Sequence, residues 1–157
     1  MKPLLPLAAA SLVLAACGGV PGNSVATVDG DPIVKPDYEH SWPVHCKVGT
    51  DGEAFHPNLD PQPFDAIFLK GEHAAAYSGF EGRAADGSAL ADWLQGHEIT
   101  HVDVCGIATD YCVRATALDA LREGFTVRVF EELCAGVAPG TSAQAIEELR
   151  AAGVAVV

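Results

Sequence analysis

Strand and helix patterns alternate along residues 64–157, and this alternation constrains the fold more than any other feature of the chain. Four short apolar runs predict buried strands, namely Phe64–Leu69, His101–Cys105, Phe125–Phe130 and Val154–Val157. Three segments with apolar residues at helical spacing predict helices, namely Ser88–Gln95 with Ser88 as N-cap, Tyr111–Glu123 and Thr141–Ala152. Such an alternation predicts an α/β fold with a parallel sheet covered by helices on both faces.

The charge balance and the cysteine spacing exclude several functions. The formal net charge of −12 opposes nonspecific attraction to phosphates, so we expect no nucleic-acid partner. The five cysteines include no Cys-x-x-Cys pair, which argues against a zinc knuckle and against a thioredoxin-like site. The sequence carries no signal for a particular oligomeric state.

Candidate reactive groups lie at the carboxyl ends of the predicted strands, where open α/β sheets place their chemistry. Lys70 follows the first strand, and Gly106–Cys112 follows the second. Cys112 falls in the first turn of its predicted helix, where the positive end of the helix dipole favours a thiolate. Unpaired backbone N–H groups of the same turn could hold an oxyanion. A lone cysteine is more often a small buried hydrophobe, and we interpret Cys105 in that way.

Six short motifs around these positions carry a resemblance to a known family. In chain order they are Ser41–Cys46 (SWPVHC), Gly49–Gly52 (GTDG), Phe55–Pro57 (FHP), Lys70–Gly71, Ala76–Phe80 (AYSGF) and Gly106–Arg114 (GIATDYCVR). Together they resemble the nicotinamidase (pyrazinamidase) branch of the isochorismatase-like cysteine hydrolases, over about residues 36–157. The resemblance implies a Rossmann-like, three-layer α/β/α domain, here incomplete at its N-terminus. It also implies a small-molecule amide substrate, with nicotinamide and water giving nicotinate and ammonia.

By this resemblance, Cys112 is the nucleophile that attacks the carboxamide carbon, and Lys70 is its cationic neighbour. The loop Gly106–Ala108 resembles the family's oxyanion loop, which contains a non-proline cis peptide bond. The backbone N–H groups of Ala108 and Cys112 would then stabilise the tetrahedral intermediate. These assignments predict a thiol-based amide hydrolase.

The resemblance also implies a substrate pocket and a metal site. Trp42 matches the aromatic residue that flanks the pyridine ring, and Tyr77 and Tyr111 would complete the pocket. Packing in the core or at the rim is the alternative for Trp42 and Tyr77. The family binds a divalent metal, zinc, iron or manganese, for which His45 matches one ligand and Asp29 is a weaker candidate. One imidazole and one carboxylate fall short of the three protein ligands usual for catalytic zinc.

The family's catalytic aspartate has no counterpart in the motifs of this chain. It ends the first strand within a Val-Asp-x-Gln-Asn-Asp-Phe word, which does not occur here. A thiol mechanism needs a group that takes the thiol proton and passes it to the leaving ammonia. We therefore expect a poor catalyst, unless Asp29, Asp31 or Asp110 takes that role.

The N-terminal segment resembles an export signal. Residues 1–17 combine one lysine, an apolar run and small residues before Cys17, and Leu14–Cys17 resembles a lipobox. Lipidation of Cys17 would anchor the chain to a membrane. We interpret residues 18–35 as a linker or irregular loop and residues 36–157 as the partial hydrolase domain. Alternatively, the apolar run Leu7–Ala16 is a buried strand or helix of an uncleaved chain and fills the space of the family's N-terminal strands.

Three interpretations of function follow. The first is a nicotinamidase-type amidohydrolase. The second is a non-catalytic envelope lipoprotein derived from the same fold. The third is a truncated reading frame of a true nicotinamidase. A genuine N-terminus predicts an envelope or periplasmic location, whereas a misassembled one predicts a cytoplasmic enzyme.

Overall fold

The computed structural model describes residues 9–14, 27–28, 31–32, 45–46, 49–59, 64–71 and 76–157. For residues 9–14, 27–28 and 31–32, it describes how the backbone pairs with neighbouring strands. Cys17, Asp29 and Trp42, which the sequence singles out for lipidation, metal binding and substrate binding, lie outside these residues. Within the described part of the chain, no helix is long and apolar enough to cross a membrane.

A parallel sheet with strand order β1-β4-β5-β6 forms the centre of the fold. Its strands are β1 (Ala9–Leu14), β4 (His101–Ile107), β5 (Thr126–Ala135) and β6 (Ala155–Val156). A separate antiparallel pair joins β2 (Thr27–Val28) and β3 (Asp31–Pro32), inside the segment predicted as a linker. The predicted parallel α/β sheet is confirmed.

Three helices supply the apolar partners of this sheet: α1 (Leu90–Gly96), α2 (Arg114–Arg122) and α3 (Pro139–Ala152). Alternate residues of the central strands are buried, because successive strand residues point to opposite faces. The helices and the strands share one core, whose largest fully buried members are Leu90, Leu94, Val102, Val104, Val113, Val127, Val129 and Leu149. This packing holds the carboxyl end of β4 against the start of α2, where the predicted nucleophile lies.

The intervening strand residues carry polar contacts between β4 and β5. Arg128 donates two hydrogen bonds to Asp103, at 2.9 and 2.7 Å. Its guanidinium carbon also lies 4.6 Å from the centroid of the Phe130 ring. The two contacts align the neighbouring strands on this side, and the hydrogen-bonded pair raises the pKa of Arg128.

Several predicted element boundaries are wrong. Phe64–Leu69 is not a strand: only Leu69 pairs, as an isolated antiparallel bridge to Arg83. Ser88 does not cap α1, because its N–H donates to Asp86 at 2.9 Å and Ala89 holds the N-cap position. Strand β5 runs beyond Phe130, because after a bulge it pairs again with β4, placing Cys134 opposite Gly106.

The helix predicted over residues 111–123 has a wider first turn than the sequence pattern suggests. Residues Thr109–Val113 form a π-helical turn, and the α-helix begins at Arg114. Tyr111 and Val113 both donate their backbone N–H to the Ala108 carbonyl, at 3.1 and 3.0 Å. The predicted nucleophile therefore lies in a π turn, a feature that often marks functional sites.

Strand β1 occupies the first position of the sheet, beside β4. Ala9 lies opposite His101 and Leu14 lies opposite Gly106, in parallel register. The structure thus agrees with the alternative in which the apolar N-terminal run fills a strand position. Pairing with β4 satisfies backbone polar groups that would otherwise lie at an open sheet edge.

Candidate active site

Lys70 is a buried cation, with 5% of its surface exposed. The Leu69–Arg83 bridge holds the backbone directly before it, with hydrogen bonds of 2.8 and 2.9 Å. Its ammonium donates to the Ala76 carbonyl at 3.0 Å and to the Cys112 sulfur at 3.5 Å. Because burying an ammonium is costly unless it is paired, these two contacts are what make the position tenable.

Cys112 lies directly against this ammonium and is itself buried, with 9% of its surface exposed. The sequence analysis selected Lys70 and Cys112 from two different strand ends, and the structure brings them together. Reactive cysteines lie in electropositive surroundings of this kind. The pair has the composition of an activated sulfur nucleophile.

The loop before the π turn has the backbone expected of the oxyanion loop. The Ile107–Ala108 peptide bond is cis, and Gly106 has φ of 120°, in a region that favours glycine. Ala108 takes the N-cap position of the turn that contains Cys112. The two predicted oxyanion donors, the backbone N–H groups of Ala108 and Cys112, thus belong to one short loop and turn.

A capping box supports the segment that supplies the carbonyl acceptor for Lys70. The Glu81 carboxylate accepts the N–H groups of Tyr77 and Ser78, at 3.0 and 2.8 Å. The Ser78 hydroxyl in turn accepts the N–H of Phe80 at 3.2 Å, which completes the box. Because Ala76 directly precedes this turn, the box helps to fix the carbonyl that holds the ammonium.

Two of the three predicted pocket residues lie together. The rings of Tyr77 and Tyr111 have centroids 5.4 Å apart at an angle of 44°. Tyr77 directly follows the carbonyl that holds Lys70, and Tyr111 directly precedes Cys112. The pair therefore joins the segment that holds Lys70 to the turn that contains Cys112, and 43% of the Tyr77 surface is exposed.

Asp110, which the sequence analysis offered as a proton carrier, has a different partner set. Its carboxylate accepts the N–H of Val137 at 3.0 Å, the N–H of Ala138 at 3.3 Å and the Thr141 hydroxyl at 2.5 Å. Helix α3 has no capping side chain at its own N-cap, Ala138, so Asp110 caps it from the turn of Cys112. Burial raises the pKa of Asp110, but these hydrogen bonds outweigh it and leave the pKa below its ordinary value. Sequence reasoning missed this capping role, because the partners lie far along the chain.

The described residues do not assemble a metal site. His45 is exposed, and its Nδ1 lies 3.4 Å from the Cys46 sulfur. No group of three or more His, Cys, Asp or Glu side chains in the described part of the chain is placed to hold a metal ion. Catalytic zinc usually has three protein ligands, so the described side chains do not fit the metal that the resemblance implies.

Cys105 and Cys134 differ from Cys112 in their surroundings. Both are half-buried on neighbouring strands. Burial raises the pKa of the Cys105 thiol, and the nearby Asp103 carboxylate raises it further. Burial also raises the pKa of Cys134. Both therefore remain protonated thiols at neutral pH, which agrees with a packing role for Cys105.

The family comparison agrees with this geometry. A family model described as the isochorismatase domain matches residues 13–157. The chain belongs to the isochorismatase family. It is 51% identical over 122 residues to the nicotinamidase/pyrazinamidase of Mycobacterium tuberculosis, a match that covers 78% of this chain and 66% of that protein. It spans only 53 to 55% of three further curated nicotinamidases.

Solved structures of this family share the fold. A nicotinamidase pyrazinamidase of Acinetobacter baumanii superposes with a TM-score of 0.76 at 34% identity, covering 94% of this chain and 75% of that one. A pyrazinamidase of Pyrococcus horikoshii, solved in complex with zinc, gives 0.62 at 30% identity, covering 95% and 73%. Both matches extend over most of the chain.

The Asp110 cap generates a prediction about stability and pH. Asp110→Asn keeps the side-chain shape but replaces one of two accepting oxygens by an NH2 group that cannot accept, so we expect the free energy of unfolding at pH 7 to fall by about 1 kcal/mol. The folded-state pKa of Asp110 is lowered, so its ionisation stabilises the folded state. This stabilisation is complete above the unfolded pKa of about 3.9 and is lost as the pH falls through the folded-state pKa.

The measurement is urea unfolding of both proteins between pH 3 and pH 7, with the exposed Asp65→Asn as the matched control. The difference between wild type and Asp110→Asn should shrink below about pH 4. A difference that is constant with pH, or as large in Asp65→Asn, would contradict the capping role.

Proposed function

We propose that this isochorismatase-family chain carries a nicotinamidase-type site, in which Cys112 attacks the carboxamide of nicotinamide or a similar small aromatic amide. The observation that carries the proposal is the buried contact of 3.5 Å between the Lys70 ammonium and the Cys112 sulfur. The relatives that share this region are nicotinamidases, at up to 51% identity. Tyr77 and Tyr111 offer an aromatic surface for the substrate ring.

The proposed reaction proceeds through an acyl-enzyme. The Cys112 thiolate adds to the carboxamide carbon, and the carbonyl oxygen becomes an oxyanion that the N–H groups of Ala108 and Cys112 stabilise. Collapse of this intermediate breaks the C–N bond, and the nitrogen takes up a proton and leaves as ammonia. Water then hydrolyses the thioester, which gives the carboxylate product and restores the thiol.

Proton transfer is the weak part of this reaction. Within the described residues, Lys70 contacts the Ala76 carbonyl and Cys112 but forms no ion pair with a carboxylate. Asp110 is engaged in capping α3. General acid–base assistance contributes about 10²–10⁴-fold, so we propose that the chain hydrolyses amides slowly. No step of the proposed reaction depends on a metal.

The assignment of the nucleophile is tested by substitution. Cys112→Ala should abolish ammonia release from nicotinamide, because no other thiol adjoins an ammonium in the described part of the chain. Cys105→Ala is the matched control, and it should change mainly the thermal midpoint. Ammonia release that survives in Cys112→Ala would rule out the thiol mechanism.

The position of β1 generates a second test. The family's catalytic aspartate ends its first strand, and β1 ends at Leu14, opposite Gly106. Because successive residues of a strand alternate between the two faces of a sheet, Leu14→Asp and Val13→Asp form a matched pair. One of them should raise the rate of nicotinamide hydrolysis, by up to about 10²–10⁴-fold.

The positive control is a chimera. In it, a family-type N-terminal third, with its aspartate motif and metal ligands, replaces residues 1–35. It should hydrolyse nicotinamide readily. Turnover by the unmodified chain equal to that of the chimera would show that another carboxylate already transfers the proton.

The N-terminus generates a prediction about location. We propose that residues 1–17 act either as a lipidated export signal or as part of the domain, since cleavage before Cys17 removes all of β1. If the chain is a lipoprotein, labelled fatty acid should enter the protein and Cys17→Ser should abolish the label. Unlabelled protein that retains Met1 would exclude the lipoprotein and favour the sheet position of β1.

A further inference from the structure

Thr116 makes a buried contact that the proposed reaction does not use. It lies on α2, four residues after Cys112, which belongs to the π turn that leads into this helix. Thr116 has no exposed surface, and its hydroxyl accepts the backbone N–H of Gly79 at 2.7 Å. Thr116 therefore contacts residues 76–81 directly, whereas Cys112 contacts Lys70, whose ammonium this segment holds.

This segment is attached to the nucleophile helix at two points. At its start, the Ala76 carbonyl holds the Lys70 ammonium, which contacts Cys112. Three residues later, Gly79 donates to Thr116. The Ser78–Glu81 capping box makes the backbone between these points a defined turn. A shift of the turn along α2 would carry the Ala76 carbonyl with it.

We propose that Thr116 is a positioning residue that sets the distance between the Lys70 ammonium and the Cys112 sulfur. The proposal rests on the proposed function only in that Cys112 is the nucleophile. When the Thr116 hydroxyl is removed, the buried N–H of Gly79 loses its acceptor. The turn then shifts until this N–H donates to another acceptor. The Ala76 carbonyl then moves, and the ammonium moves with it.

The expected size of the effect follows from the charge interaction. Ammonium and thiolate attract in proportion to the inverse of their separation. Moving the ammonium from the 3.5 Å contact to about 5 Å, at an effective dielectric constant of about 20, weakens its attraction for a negatively charged sulfur by a factor of about ten in an equilibrium constant. The reactivity of the Cys112 thiol should fall by the same factor.

The experiment measures the rate at which iodoacetamide alkylates Cys112 at pH 7, followed on its own peptide by mass spectrometry. Thr116→Val should lower this rate about tenfold, and Thr116→Ser, which keeps the hydroxyl, should restore it. Val127→Ala, which opens a cavity in the same core, is the control for plain loss of stability. It should lower the thermal midpoint and leave the alkylation rate unchanged.

A double-substitution cycle separates positioning from general packing. In a Lys70→Met background, Thr116→Val should cause no further loss of Cys112 reactivity, because the ammonium that Thr116 positions is gone. Equal losses with and without Lys70, or an unchanged rate in Thr116→Val, would overturn the proposal. Alkylation requires no substrate, so a chain that fails to hydrolyse nicotinamide but shows this pattern would refute the proposed function alone.

Discussion

Burial of the Lys70 ammonium is the constraint on which the candidate site depends. A cation with 5% of its surface exposed is stable only with polar or anionic partners, and the described partners are the Ala76 carbonyl and the Cys112 sulfur. The carbonyl requires a fixed turn, which the Glu81 capping box provides. The sulfur requires a helix start that points inward, which the turn after β4 provides. Packing around one charge thus places a cysteine sulfur in contact with an ammonium.

The acidic residues near the site act on backbone rather than on substrate. Glu81 accepts two N–H groups at the turn beside Lys70, and Asp110 accepts two at the start of α3. Each carboxylate lies on one side of the nucleophile turn and fixes an element that contacts it. Burial raises the pKa of Asp110, but its hydrogen bonds outweigh burial and keep the pKa below its ordinary value, which makes this carboxylate a good cap and a poor proton carrier.

The sequence predicted the Lys70–Cys112 pair better than the contacts that hold this pair in place. Cys112 follows from the rule that places reactive groups at strand ends, because β4 ends shortly before it. Lys70 was selected by the same rule from a predicted strand that does not form, so the motif around it was the sounder signal. Asp110 and Thr116 could not be assigned in this way, because their partners lie 27 and 37 residues away along the chain. Phe64–Leu69 was predicted as a strand from its apolar run alone, but strand formation also requires a partner edge, and only Leu69 finds one. Strand β5 is longer than its apolar run predicts, because it does have a partner edge. Pairing of β4 with β5 up to Ile107 extends the strand through residues of mixed polarity.

Strand β1 shows how fold and activity can separate in one chain. Its six residues are apolar apart from Ser11, and they pair with β4 along its length up to Gly106. Pairing and apolar composition are sufficient for a strand to complete the sheet, since neither depends on a particular side chain at its end. Proton transfer in the proposed reaction depends on an acidic side chain, and β1 contains no carboxylate. The chain therefore keeps the sheet and the Lys70–Cys112 contact although β1 supplies no carboxylate for the proposed reaction.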